Sequence, residues 1–148
     1  MSVIKYEVHV DSDGDTEWYL NGHLHREDGP ACEYAYGLKE YWINGKRHRE
    51  DGPTIIASNG NEYWYLNGKL HREDGPACDY ADGSKSWWVN GIRHREDGPA
   101  IEYADGSKEY WINGEELTES EFNNRTKIKE LTISEIQSLL GYKIKVIE

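Results

Sequence analysis

Phenylalanine and methionine occur once each, cysteine twice and proline four times in a chain of 148 residues. Hydrophobic residues make up 36% of the chain, and its mean hydropathy is −0.91. Leucine, valine and phenylalanine are too scarce to fill the core of a thick globule. No segment approaches the roughly 18 apolar residues of a membrane span. The opening Met1-Ser2-Val3-Ile4-Lys5-Tyr6 lacks the apolar run of a signal peptide. These features predict a cytoplasmic protein that makes no contact with membrane. Basic residues are also few, 17 against 28 acidic ones, for a formal charge of −11. That balance argues against general affinity for nucleic acid backbone or anionic lipid. It leaves open a basic protein partner, or mimicry of nucleic acid by an acidic face.

Tyrosine and tryptophan are plentiful, with 11 and 6 copies. Their rings pack on one side and tolerate water at the other, which suits a thin structure with much half-buried surface. They recur on a strict period. Asn-Gly pairs begin at Asn21, Asn44, Asn67, Asn90 and Asn113, always 23 residues apart. After the first four comes His-Arg-Glu-Asp-Gly-Pro without variation: His25 to Pro30, His48 to Pro53, His71 to Pro76 and His94 to Pro99. A second glycine stands seven residues before each Asn, and two aromatics stand three and two residues before it. The pairs are Trp18-Tyr19, Tyr41-Trp42, Trp64-Tyr65, Trp87-Trp88 and Tyr110-Trp111.

Each unit reads as a β-hairpin. In Ala100 to Ala104, apolar Ile101 and Tyr103 alternate with Glu102, the period of a half-buried strand. Asp105-Gly106-Ser107 supplies a turn, Lys108 to Ile112 returns, and Asn113-Gly114 turns again. One hairpin cannot bury its own face, but stacked hairpins can, and equivalent residues then form ladders. One expected ladder is His9, Cys32, Ile55, Cys78 and Ile101; the aromatic pairs form another. At two strands per unit, Cys32 and Cys78 lie about 19 Å apart. That is beyond the roughly 7 Å of a disulfide, so both are expected as free, buried thiols. The expectation is an all-β fold: tandem β-hairpin repeats in an elongated antiparallel sheet or solenoid with a small helix-plus-strand C-terminal cap. Residues 1–10 form an N-terminal capping strand, 11–115 the repeats and 116–148 the C-terminal α/β cap. In that cap, Thr118-Glu119-Ser120-Glu121 is a capping box. Thr132 to Leu140 is a short amphipathic helix ending at Gly141, and Tyr142 to Ile147 alternates as a last strand.

The string Tyr-Trp-Ile-Asn-Gly-Lys-x-His…Gly-Pro…Tyr-Ala-Asp-Gly-Ser resembles the MORN repeat, a 23-residue β-hairpin unit. It is closer to repeats of tailed phages and large DNA viruses that carry Asn-Gly-Lys-x-His-Arg-Glu-Asp-Gly-Pro-Ala. Their Glu-Leu-Thr-Glu-x-Glu-Phe-Asn stretch is similar to Glu116 to Asn123. The resemblance covers roughly residues 7–127. It departs from typical MORN units in placing Arg-Glu-Asp between the His and the Gly. It implies a scaffolding role, and its viral side implies an accessory protein that works in the host cytoplasm and inhibits a host or defence factor. Lipid binding, linked to some MORN proteins, is not carried over to a chain of this charge.

The repeated loop is the leading candidate surface. Its Asp-Gly-Pro is turn chemistry, and its Arg and acidic pair suit an ion ladder between adjacent units. Alternatively His25, Arg26, His48, Arg49, His71, Arg72, His94 and Arg95 line a face that grips an anionic or acidic partner. Trp42, Trp64, Trp88 and Trp111 are candidate interface anchors, because Trp, Tyr and Arg dominate interface energies. Histidines about 10 Å apart along a stack cannot share one ion, so no metal site is expected. No phosphate-cradling glycine loop or nucleophile motif is present, so no cofactor and no enzymatic activity are expected. The leading expectation is a non-enzymatic scaffold that binds a protein partner. Two alternatives stand beside it: sequestration of a small anionic ligand or signalling nucleotide in the Arg- and His-lined grooves, and acidic mimicry of nucleic acid.

Overall fold

Every unit carries two turns of different geometry, and together they set the architecture. At the Asn-Gly pairs both residues are left-handed, with φ of 50–53° at the asparagines and 72–83° at the glycines. That is a type I′ turn, whose twist matches two tightly paired strands. The second turn is a three-residue loop closed by a left-handed glycine. Tyr80 N–H donates to Ser84 O at 3.0 Å and Gly83 N–H to Tyr80 O at 2.9 Å. Gly14, Gly37, Gly60 and Gly106 hold the same place in the other units.

In the computed structural model, which describes residues 5–129 and 133–141, these turns build a mostly β molecule. A 12-stranded antiparallel sheet runs its length and does not close into a barrel. In an inner unit, Cys78–Asp79 enters this sheet, turns at Gly83 and returns as Lys85–Ser86. The chain then leaves the sheet at Trp87, where its N–H reaches Ala100 O at 2.8 Å. It continues as Trp88–Val89, turns at Asn90-Gly91, and pairs back as Ile92–Arg93 in a separate two-stranded sheet. The His94 to Pro99 loop leads into the next long-sheet strand, Ile101–Glu102. The expected single returning strand is therefore intact in Thr16–Leu20 and Lys108–Ile112 but divided between two sheets in the inner units. Backbone bonds join the small hairpins along the stack: Gly68 N–H to Arg47 O at 2.8 Å and Gly91 N–H to Leu70 O at 2.8 Å.

The core is thin, two residues wide per unit. Ala31, Thr54, Ala77 and Ala100 are all fully buried, and beside them run Cys32, Ile55, Cys78 and Ile101. Thr54 is tolerated in the small column because its hydroxyl accepts Tyr65 N–H at 2.9 Å and donates to Tyr65 O at 3.0 Å. Both cysteines are free and buried. They are separated by four strand steps, so the distance argument from the sequence holds. Burial pushes the Cys32 thiol up to about 12, away from reactive thiolate chemistry. His9 is the exception to the predicted ladder. It is in register with Glu17, opposite Cys32, yet it is exposed. Its strand, Glu7–Val10, is the sheet's first edge, and none of the described residues covers it. The ring packs on Tyr19 at 5.0 Å and bonds Glu7 at 2.8 Å instead.

The far edge is Glu115–Leu117, followed by helix α1, Glu119–Lys129. The capping box forms as its residues dictate: Glu121 Oε2 accepts Thr118 N–H at 2.8 Å and Thr118 Oγ1–H at 2.7 Å. Phe122, buried, packs on Tyr110 at 4.9 Å and ties α1 to the sheet. Helix α2, Ile133–Leu140, ends at Gly141, whose φ is 72° and whose N–H reaches Gln137 O at 3.0 Å. The expected strand Tyr142 to Ile147 lies outside the described residues, as does Thr132.

Candidate functional site: the grooves between the repeated loops

Each His-Arg-Glu-Asp-Gly-Pro loop is organised around its arginine. In Arg49, Nε donates to Asp51 Oδ1 at 2.8 Å and Nη1 to Pro53 O at 3.1 Å. The guanidinium lies 4.0 Å from the Tyr41 ring centroid. Arg26, Arg72 and Arg95 repeat this on Trp18, Trp64 and Trp87, at 4.1, 4.2 and 3.9 Å. Their bonds to Asp28, Asp74 and Asp97 are 2.9, 2.9 and 2.8 Å. The loop glycine leaves room for this close approach: a Cβ on Gly52 would sit 3.0 Å from Arg49 Cζ and push the guanidinium aside. The Arg–Asp pairs thus close within one loop, while Arg26 and Arg95 also reach Glu33 and Glu102 on the next unit's first strand, at 3.1 and 2.8 Å, so the ion pairing between units that the sequence suggested is present at two of the four loops. Backbone bonds cross to the next unit as well: Arg49 N–H to Tyr65 O at 3.3 Å and Arg72 N–H to Trp88 O at 3.1 Å.

The histidines make the other inter-unit clasp. Nδ1 of His25, His48, His71 and His94 accepts the backbone N–H of Asn44, Asn67, Asn90 and Asn113, at 3.1, 3.2, 3.1 and 3.0 Å. In His25 and His48, Nδ1 also lies 2.9 and 3.1 Å from the side-chain Oδ1 of Asn44 and Asn67. Nε2 faces the glutamate two residues on, at 3.6–3.9 Å. Each histidine therefore holds the next unit's type I′ turn in place.

With the basic groups turned inward, the carboxylates face out. Glu27, Asp28, Glu50, Asp51, Glu73, Asp74, Glu96 and Asp97 have side chains 52–88% exposed. Between successive loops lie three equivalent open grooves, of about 580, 680 and 710 Å³. The first runs between loops 26–29 and 48–51, over Tyr41, Ile43 and His48. Trp64, Leu66 and His71 take those places in the second, and Trp87, Val89 and His94 in the third. The hydrogen bonds of Arg49 and Arg72 hold the Asp51 and Asp74 carboxyls below the ordinary carboxylate range, so the rims keep their charge.

The candidate anchors divide between two places. Trp64 is in a groove beneath Arg72. Trp42, Trp88 and Trp111 are half-buried elsewhere, against Arg47 and Arg93 in the ladder of Asn-Gly hairpins. The adjacent aromatics of a pair point to opposite sides of the strand, and the two-residue period carried that signal. The outward carboxylates, and the ladder arginines Arg47 and Arg93, were not singled out from the sequence. The signal for the carboxylates was the fixed Arg-x-Asp spacing, which occupies the arginine locally and leaves the glutamate exposed. Among the described residues no three His, Cys, Asp or Glu side chains converge to hold a metal ion, and no helix is long and apolar enough to cross a membrane. The chain matches no protein-family model and no curated protein.

Proposed function

We propose that this protein is a non-enzymatic repeat scaffold that binds a protein partner, and that the partner presents basic side chains to the three loop grooves. The observation that carries this reading is the regular alternation of acidic rims and aromatic or aliphatic floors. Eight carboxylates, four to each groove, flank spaces of a size that takes side chains, each over a Tyr or Trp and an Ile, Leu or Val. An Arg or Lys places its methylenes on the apolar floor and its charge between the carboxylates.

The pitch narrows the partner further. Two strands per unit put successive grooves about 9.6 Å apart. An extended polyproline-type segment rises about 3.1 Å per residue and repeats every three residues. A basic residue at every third position therefore meets one groove after another. The resemblance to phage and large-DNA-virus repeats supports a host or defence factor as the source of that segment.

Charge density favours this over mimicry of nucleic acid. A loop carries two acids and one arginine, a net charge of −1 per roughly 9.6 Å, against about one charge per 1.7 Å of duplex axis. Sequestration of an anion in the same grooves has less support, because Nε and Nη1 of each loop arginine are already engaged and carboxylates line the rims.

Fluorescence anisotropy with labelled peptides tests the proposal. A peptide with lysine or arginine at every third position binds, and affinity falls as salt rises. A peptide of equal charge but scrambled spacing binds at least several-fold more weakly. Equal binding of the two, or of neither, contradicts the reading.

A further inference from the structure

The ladder of Asn-Gly hairpins holds two arginines in matching positions, Arg47 and Arg93, two units apart. Each guanidinium lies between two aromatic rings. Arg47 is 5.1 Å from Trp42 and 5.5 Å from Tyr65; Arg93 is 5.2 Å from Trp88 and 5.0 Å from Trp111. What differs is the carboxylate between them. Glu40, 8% exposed, bridges the first pair: Oε2 accepts Trp42 Nε1–H at 2.9 Å and Oε1 accepts Arg47 Nη2–H at 3.1 Å. At the equivalent position of the later unit stands Ser86. Its hydroxyl accepts Trp88 Nε1–H at 2.9 Å but is too short to reach Arg93.

A cavity of about 290 Å³ occupies that place, lined by Arg93, Ser86, Trp88, Tyr80, Ile101 and Tyr103. Arg93 keeps its donors there. Among the described residues its Nε is buried without a partner, as is that of Arg47, but where Arg47 has Glu40 at 3.1 Å the acid nearest to Arg93, Glu109, is 3.9 Å away. Both Glu109 oxygens are already engaged, by Tyr103 O–H at 2.7 Å and Trp111 Nε1–H at 2.9 Å. Asp82 lines the same cavity, with Oδ1 held by Ser84 N–H at 2.8 Å.

We infer that this cavity is a binding site for a small carboxylate ligand, in which the ligand's carboxylate takes the place that Glu40 fills in the earlier unit. The guanidinium donates to the carboxylate, as it does to Glu40, and two aromatic faces hold it in orientation. The rest of the ligand is flat or apolar and lies on Trp88 and Ile101. Asp82 and the overall negative charge select against polyanions, so a monocarboxylate fits better than a phosphate. The site is separate from the loop grooves and does not depend on the function proposed for them.

The test is a titration of the intact chain with benzoate, followed by NMR at the Trp88 indole N–H and the Arg93 Nε–H. Benzamide, the uncharged isostere, and inorganic phosphate serve as the other arms. The expected result is a saturable shift of both signals by benzoate, with a dissociation constant on the order of 1 mM, the scale of a ligand of few atoms. Benzamide and phosphate produce no such shift. Two variants keep the experiment decisive. Arg93→Leu places the residue that already stands at Leu24 and Leu70 in that ladder, so it retains the fold and loses the response. Ser86→Glu rebuilds the internal bridge and closes the site. The inference is overturned by an absent or non-saturating benzoate shift, by the same shift in Arg93→Leu, or by an equal response at the Arg47 Nε–H.

Discussion

Arg26, Arg49, Arg72 and Arg95 sit in one environment repeated four times: an aspartate two residues on, a proline carbonyl four residues on, and an aromatic ring about 4 Å below. Arg47 and Arg93 share a position with Leu24 and Leu70, and only one of the two meets a carboxylate at hydrogen-bond distance. In the loops an unchanging string reflects a geometry in which the arginine and the histidine Nδ1 bond within the loop or to the next unit. In the hairpin ladder, substitution between units leaves donors and space unassigned. Invariance across the units therefore marks what holds the stack together. Variation on the same backbone marks where one unit can take a ligand that another cannot.

The sharpest way to break this comparison is to exchange both kinds of arginine for leucine. Arg72→Leu removes two charge-assisted hydrogen bonds and a stacked cation, and is expected to cost about 2–3 kcal/mol. Arg93→Leu is expected to stay within about 0.5 kcal/mol of the parent. Urea unfolding of both variants checks this; equal losses would remove the distinction. Glu40→Ser, which copies Ser86 into the earlier unit, comes next. It should destabilise by about 1–2 kcal/mol by leaving Arg47 without its acceptor, and it should open a second carboxylate site there. A native-like melt with no benzoate response in the Arg47 Nε–H would count against the bridging role of Glu40.

The smallest effect is the acid limb of stability. Asp51, Asp74 and Asp97 have carboxyls lowered by the hydrogen bond from Arg49, Arg72 and Arg95. A carboxyl whose pKa is depressed on folding stabilises above its unfolded value, about 3.9, and loses that contribution as pH falls through the folded value. Stability should be level from neutrality to about pH 5 and decline below about pH 4. Asp74→Asn should make that decline shallower, and urea midpoints against pH report it.

Much of the architecture was legible in the residues. The type I′ turns follow from Asn-Gly, the stack from the 23-residue period, the free cysteines from counting strands, and the α1 start from Thr118 and Glu121. Three things were not. His9 obeys the register of its ladder but sits on an edge strand, and burial depends on what lies beyond the edge. The returning strand divides at Tyr41, Trp64 and Trp87, whose backbone N–H groups turn to Thr54, Ala77 and Ala100 of the next unit, whereas Trp18, with the same bond to Ala31, stays in one strand that pairs with Glu7–Val10. No single unit contains that information. The direction of the loop side chains was not legible either: His-Arg-Glu-Asp leaves open which groups face outward, and the Arg-x-Asp bond and the His to Asn clasp turn the arginines and histidines in.

The central claim is that the loop arginines and histidines hold the stack while the loop glutamates meet the partner. It is tested most directly by replacing Glu27, Glu50, Glu73 and Glu96 together with glutamine, then measuring the melt and the anisotropy of the peptide with basic residues at every third position. The account predicts an unchanged melt, because these side chains are 52–88% exposed, and at least a ten-fold loss of affinity, about 1.4 kcal/mol. Full affinity in that variant, or a collapse of its melt, would contradict it.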